Sequence, residues 1–307
     1  MAKQPIHPAT RFRQLLAEPG IIGGINVYDP LTARIAQKVG FKAVALGGYQ
    51  HGTALCQPEP TLTMTEVIEG ARLITKVISI PLKVDCGTGF GEAVHVTRTI
   101  REVESANIAC IHIEDQHFPK RAHYHKNEEQ VISLEEMVDK LKAAVAARRG
   151  DLAICGRTDT CRTHGAKEAI RRGHAFMEAG CDMVELFPSN MEEIVLIGKE
   201  MQAPMVYVNA TANLKGRPVL SWKQLEDLGY KMCIDASAVV VSAVDAIRAT
   251  METYIKTGLP PKEVHAKTEV RSYIESLIGL DEYYEIEEKT LGLGKKTMHG
   301  VAGKIGK

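Results

Sequence analysis

Short apolar runs alternate along the chain with longer stretches in which apolar residues recur at helical spacing, the arrangement expected of parallel strands joined by crossover helices. Eight such units can be read. Residues 21–26, 43–47, 82–86, 108–114, 152–156, 183–187, 205–209 and 232–235 are the predicted strands. Residues 31–39, 64–77, 93–105, 134–148, 166–179, 191–201, 222–228 and 239–255 are the predicted helices between and after them. Gly40, Gly180 and Gly229 each follow a helical stretch and precede a strand, where a left-handed C-cap is wanted. The pattern predicts an α/β fold, a (β/α)8 TIM-type barrel over residues 1–257, followed by a C-terminal helical arm and tail over 258–307. That arm begins at Gly258-Leu-Pro-Pro, carries a helical stretch near 268–278, and is expected to pack on another subunit.

Polar and glycine residues gather where the predicted strands end: Gly47 and Gly48, Asp85, Glu114 and Asp115, Arg157 and Asp159, Glu185, Asn209 and Asp235. In a barrel those ends share one face, where such enzymes keep their active sites. An open doubly wound sheet would also place them on one edge, so the clustering leaves barrel closure open.

Composition narrows the chemistry. Lys+Arg and Asp+Glu are equal at 38 each, so no basic field exists to gather nucleic acid or an anionic membrane surface. Small-molecule chemistry is the expectation. No run approaches the roughly 18 apolar residues of a membrane helix, the N-terminus lacks a signal-peptide core, and a cytoplasmic location is expected. The seven cysteines are scattered without CxxC spacing and read as reduced thiols. Neither a GxGxxG fingerprint after a strand nor a GxxxxGK[ST] loop is present, which gives nucleotide cofactors little support.

The segment from Lys83 to Gly91 ends a strand with Asp85 and follows it with three glycines, so that the backbone can approach a ligand closely. The next strand delivers Glu114 and Asp115. Oxygen ligands from separate strands, completed by water, suit octahedral Mg²⁺. The plainer alternative has Asp85 capping the following helix and Glu114 paired with Lys83 or Arg157. His112, alternating with Ile111 and Ile113, reads as a core or interlayer histidine rather than a ligand.

VDCGTGFG, HIEDQHFPKR, GRTDT, ELFPSN and the tail GLDEYYEIEEKTLG together resemble the isocitrate lyase and phosphoenolpyruvate mutase superfamily, nearest its small methylisocitrate and dimethylmalate lyase branch. The resemblance runs over nearly the whole chain. It implies that Asp85 binds Mg²⁺ directly, that Glu114 reaches it through water, and that Mn²⁺ is also accepted. It further implies that the amides of Gly47 and Gly48, after Leu46, hold the substrate carboxylate. Arg157 pairs with a carboxylate or the departing group, and Asn209 lies near the substrate. Residues on the loop from Lys120 to His125 act catalytically, the shared intermediate is an enolate, and the terminal helix exchanges between neighbours in a homotetramer.

Four departures qualify the implied activity. Gly87 stands where the family has a second metal-site aspartate, and Ala122 stands at the cysteine of the thiol-using lyases. Leu46 replaces a serine before the glycine pair, and Glu59 stands in for an aspartate of the second loop. A carbanion without the loop thiol needs another acid; His123 and His125 are the candidates, against the ordinary reading of two solvated loop histidines. The expected function is magnesium-dependent C–C cleavage of a small 2-hydroxy or 2-oxo (di)carboxylic acid. The alternatives are P–C chemistry on a phosphonopyruvate-type substrate and a catalytically lapsed carboxylate-binding protein.

Overall fold

Eight parallel strands close on themselves in the computed structural model, which describes residues 6–126, 130–212 and 217–293. They are β1 Ile22–Asn26, β2 Ala43–Leu46, β3 Leu82–Asp85, β4 Cys110–Glu114, β5 Ala153–Arg157, β6 Met183–Glu185, β7 Met205–Asn209 and β8 Met232–Asp235. Each strand pairs with the next, and β8 returns to β1 through a register running from Ile22↔Met232 to Ile25↔Asp235. The closed (β/α)8 barrel expected from the sequence is the fold found. Gly40, Gly180 and Gly229 sit at φ 104°, 100° and 84°, as the left-handed helix ends require.

Side-chain size alternates across the barrel wall. Val44, Val84, Ile111, Ile113, Ile154 and Val184 join a large cluster with apolar residues of the surrounding helices. Ala43, Ala45, Cys110, Ala153, Cys155, Met183, Val206 and Met232 form a second cluster, where small residues alternate with unbranched ones that fit a narrow interior. Phe12 and Leu15 belong to that second cluster and are carried by a helix, Pro8–Ala17, that the apolar pattern did not predict. Proline at its first position and the His7 ring accepting from the Ala9 amide start this helix, and it closes the amino-terminal end of the barrel.

The helices Met191–Glu200 and Trp222–Asp227 approach so closely that a Cβ on Gly198 would lie 2.2 Å from the Leu228 carbonyl oxygen. Gly198→Ala is therefore expected to lower stability by about 1–3 kcal/mol, through a backbone shift, in urea unfolding.

Two compact units are present, residues 1–244 and residues 245–307, with the boundary inside the helix Ala238–Thr257. In the second unit the helices Thr268–Leu277 and Leu280–Leu291 pack on each other, yet Ile274, Ile278, Tyr283, Tyr284 and Ile286 are exposed. No helix among the described residues is long and apolar enough to cross a membrane.

Candidate active site

The strand register assembles the polar ring. It sets Asp85 beside His112, Glu114 beside Arg157, and Arg157 beside Glu185 at the carboxyl ends of β3 to β6. These ends open into a cavity of about 410 Å³ lined by Leu46, Gly47, Gly48, Asp85, His112, Arg157 and Glu185 among others. Glycine is demanded at both positions after β2 by crowding. A Cβ on Gly47 would meet Gln50 Oε1 at 2.3 Å, and one on Gly48 would meet Glu59 Cγ at 2.7 Å.

Asp85 is the most heavily engaged carboxylate. It accepts from the Gly87 amide at 2.8 Å and from the Gly48 amide at 3.2 Å, and His112 Nε2 lies 2.9 Å from its Oδ1. Burial alone would raise its carboxyl, but His112, Lys120 and Arg157 outweigh burial and hold it well below the usual carboxylate range. Glu114 is fully buried, with Lys120 Nζ at 2.9 Å and Arg157 Nη1 at 3.2 Å, and neither of its oxygens completes a hydrogen bond among the described residues. Burial pushes this carboxyl up to about 7, against the pull of Lys120 and Arg157. Arg157 is held as a fork: its Nε and Nη2 each donate to Asp159 at 3.1 Å, and its guanidinium lies 4.1 Å over the Phe187 ring. Lys120 also pairs with Glu59 and sits 4.2 Å over the Tyr124 ring.

The residues fit a divalent cation. Five carboxylates (Glu59, Asp85, Glu114, Asp159 and Glu185) are tied by ion pairs to three cations, Lys83, Lys120 and Arg157. Carboxylates outnumber the lysine and arginine cations in that cluster, and the oxygens of Glu114 lack hydrogen-bond partners among the described residues, where water ligands of a cation would supply them. No group of three or more His, Cys, Asp or Glu converges on one point among the described residues, so protein atoms would supply only a minority of the ligands.

The other predicted residues divide. Lys120 and His125 stand at the site, with His125 lining the cavity together with Tyr124. His123 is exposed and does not line it. Asn209 is buried but turned elsewhere: it donates to the Leu220 carbonyl at 2.9 Å and accepts from the Leu220 amide at 3.0 Å, bracing the segment after β7. A strand-end position alone did not reveal this. His112 is the buried, partnered histidine expected from its alternation, and it also lines the cavity, between Asp85 and the buried Lys83–Glu185 pair. Its alternation with isoleucines matches an inward-facing residue, and the neighbouring strand-end acids were the available signal. All seven cysteines are free, and Cys86 is buried with its thiol pushed up by burial, which suits an uncharged neighbour of the site.

Comparison with known proteins decides the family. The phosphoenolpyruvate phosphomutase family model matches residues 12–255. The chain belongs to the phosphoenolpyruvate phosphomutase family. Within this family it is 36% identical to a 2,3-dimethylmalate lyase of Eubacterium barkeri, covering 92% of this chain and 98% of that one. It is 33% identical to a 2-methylisocitrate lyase of Aeropyrum pernix, over 96% of this chain and 94% of the relative. Among solved structures, a phosphonopyruvate hydrolase in complex with oxalate and Mg²⁺ superposes with a TM-score of 0.83 at 27% identity, covering 93% of this chain and all (100%) of the other. This family member thus combines a Gly47–Gly48 cradle, a buried Arg157 fork and a carboxylate-rich cluster in one cavity.

Proposed function

We propose that this protein is a Mg²⁺-dependent carbon–carbon lyase acting on a small 2-hydroxy or 2-oxo dicarboxylate through an enolate. One observation carries the reading: Asp85 and Arg157 line a cavity of about 410 Å³, a small-molecule size, with the buried Glu114 3.2 Å from Arg157. Asp85 and Glu114 would hold the cation, which supplies Lewis-acid stabilisation of negative charge when bound. The glycine cradle lets the substrate carboxylate approach the backbone of Gly47 and Gly48. Arg157, locked by its two hydrogen bonds to Asp159 and by Phe187, is held still at the cavity wall and orients the bond that breaks through Nη1 and its fixed charge. For a 2-hydroxy acid the hydroxyl gives its proton to a carboxylate of the cluster, the C2–C3 bond breaks, and a carbonyl forms at C2. The electron pair passes to C3 and is shared with the adjoining carboxylate until a proton arrives there. With Ala122 at the thiol position, His125 is the proton source we assign, because it lines the cavity and His123 does not.

Relatedness to the 2,3-dimethylmalate and 2-methylisocitrate lyases supports this reading. Likeness to a phosphonopyruvate hydrolase, with the missing thiol, favours P–C cleavage as the second reading. A panel of dimethylmalate, methylisocitrate, oxaloacetate and phosphonopyruvate incubated with Mg²⁺ separates them: a 2-oxo acid released from a diacid supports the lyase, and free phosphate from phosphonopyruvate supports the alternative. Residues 1–257 act in this scheme as the catalytic barrel, and 258–307 as the arm whose exposed apolar residues cover a second copy in a homotetramer in the cytoplasm.

Gly87 offers a direct probe of the metal site. It lies at φ 50°, and nothing stands within 4 Å of a Cβ built there. Aspartate tolerates the left-handed region better than most residues. Gly87→Asp is expected to cost about 1 kcal/mol of stability and to tighten Mg²⁺ binding several-fold in calorimetry, since it adds an acid two residues from Asp85.

A further inference from the structure

Arg217 is a buried cation of the cavity that the scheme above leaves unused and that, unlike Lys83, no carboxylate among the described residues balances. It is 7% exposed and lines the same cavity as Asp85 and Arg157. Its one hydrogen bond runs from Nη1 to the Val208 carbonyl at 3.3 Å, its Nε has no partner, and no carboxylate pairs with it among the described residues. A guanidinium buried without a counter-charge is costly, so a site that keeps one has an anion to receive. Burial, with Arg162 and Arg157 nearby, pulls this guanidinium below its ordinary value, which marks an uncompensated positive field at that wall.

Phe187 fixes where that field lies. Its ring carries Arg157 at 4.1 Å and Arg217 at 4.4 Å, so one aromatic side chain sets the spacing between two guanidiniums. Its backbone is at φ 48°, a region that bulky side chains rarely adopt and that surrounding structure must impose. Arg157 is already shared among Asp159, Glu114 and Asp85, whereas no carboxylate among the described residues pairs with Arg217. The cavity therefore keeps one guanidinium committed to carboxylates and a second, Arg217, beside the same ring and open to an anionic group.

We propose that Arg217 is a specificity-determining residue that binds the distal carboxylate of the substrate, restricting the enzyme to dicarboxylates. This rests on the lyase reading and names the substrate class it takes. Two probes separate the ends of the cavity. Oxalate, with adjacent carboxylates, occupies the Asp85–Arg157 end only. Oxaloacetate difluorinated on its methylene carbon places a second carboxylate beyond it.

The experiment is calorimetry with Mg²⁺ on the full chain, on Arg217→Gln and on Arg217→Lys. Arg217→Gln is expected to weaken the difluorinated diacid about 30- to 100-fold, the loss of a charge-assisted pair, and to leave oxalate within about twofold. Arg217→Lys recovers part of the loss, because it restores charge without the fork. Equal weakening of both probes would mean that Arg217 only supports the cavity wall, and unchanged affinity for the diacid would mean that it does not touch the substrate; either overturns the proposal while oxalate binding by the unaltered chain keeps the lyase reading standing. Failure of the unaltered chain to bind either probe overturns both together.

Discussion

Arg157→Ala is expected to remove turnover by about a thousandfold or more and to lower stability by about 3–5 kcal/mol. The two effects share one cause. The guanidinium is 3% exposed and satisfies Asp159 through two hydrogen bonds while lying 3.2 Å from Glu114 and 3.9 Å from Asp85. Removing it strands buried carboxylates whose burial otherwise disfavours their charge. Arg157→Lys separates the contributions: a positive charge remains for Glu114, but one ammonium cannot reproduce the fork toward Asp159. It should regain most of the stability in urea unfolding and little of the turnover. Equal recovery of both would make Arg157 a charge balance rather than an orienting group.

Asp85→Asn is expected to reduce turnover by about a thousandfold, the several kcal/mol that a positioned cation contributes to charge stabilisation, and to abolish detectable Mg²⁺ binding in calorimetry. The substitution preserves shape. An asparagine oxygen still accepts from the Gly87 or Gly48 amide, so the loop after β3 keeps its conformation. His112 loses its carboxylate partner at 2.9 Å, and the ion-paired cluster loses one negative charge. Unaltered Mg²⁺ affinity in Asp85→Asn would place the cation elsewhere in the cavity.

How much of this was readable in the sequence depended on periodicity. Strands of β-branched and small apolar residues and long amphipathic helices declared themselves, and the glycines at 40, 180 and 229 marked three of the turns between them. The short helices Gly48–Ala54 and Thr160–His164 were missed because GYQHGTA and TCRTH carry no apolar stripe; strand ends and loop geometry impose them. Asp85, Glu114 and Arg157 were found because charged residues at strand ends stand out against apolar runs. His112 was legible as a buried, partnered histidine, but only the register that sets it beside Asp85 shows that it lines the cavity. Asn209 shows the reverse: a strand end promised a ligand, and the side chain serves the backbone of Leu220 instead. Arg217 lies eight residues beyond the end of β7, and no periodicity predicts that it folds back onto Phe187.

The central claim is cleavage of a carbon–carbon bond with charge left on carbon, and it is tested most directly by NMR of the dicarboxylate reaction in D₂O with Mg²⁺ and with a chelator. The account predicts equal amounts of a 2-oxo acid and a second carboxylic acid, the latter carrying deuterium on the carbon that was bonded to C2, with neither formed under chelation. Phosphate released from phosphonopyruvate while every diacid stays intact would contradict it.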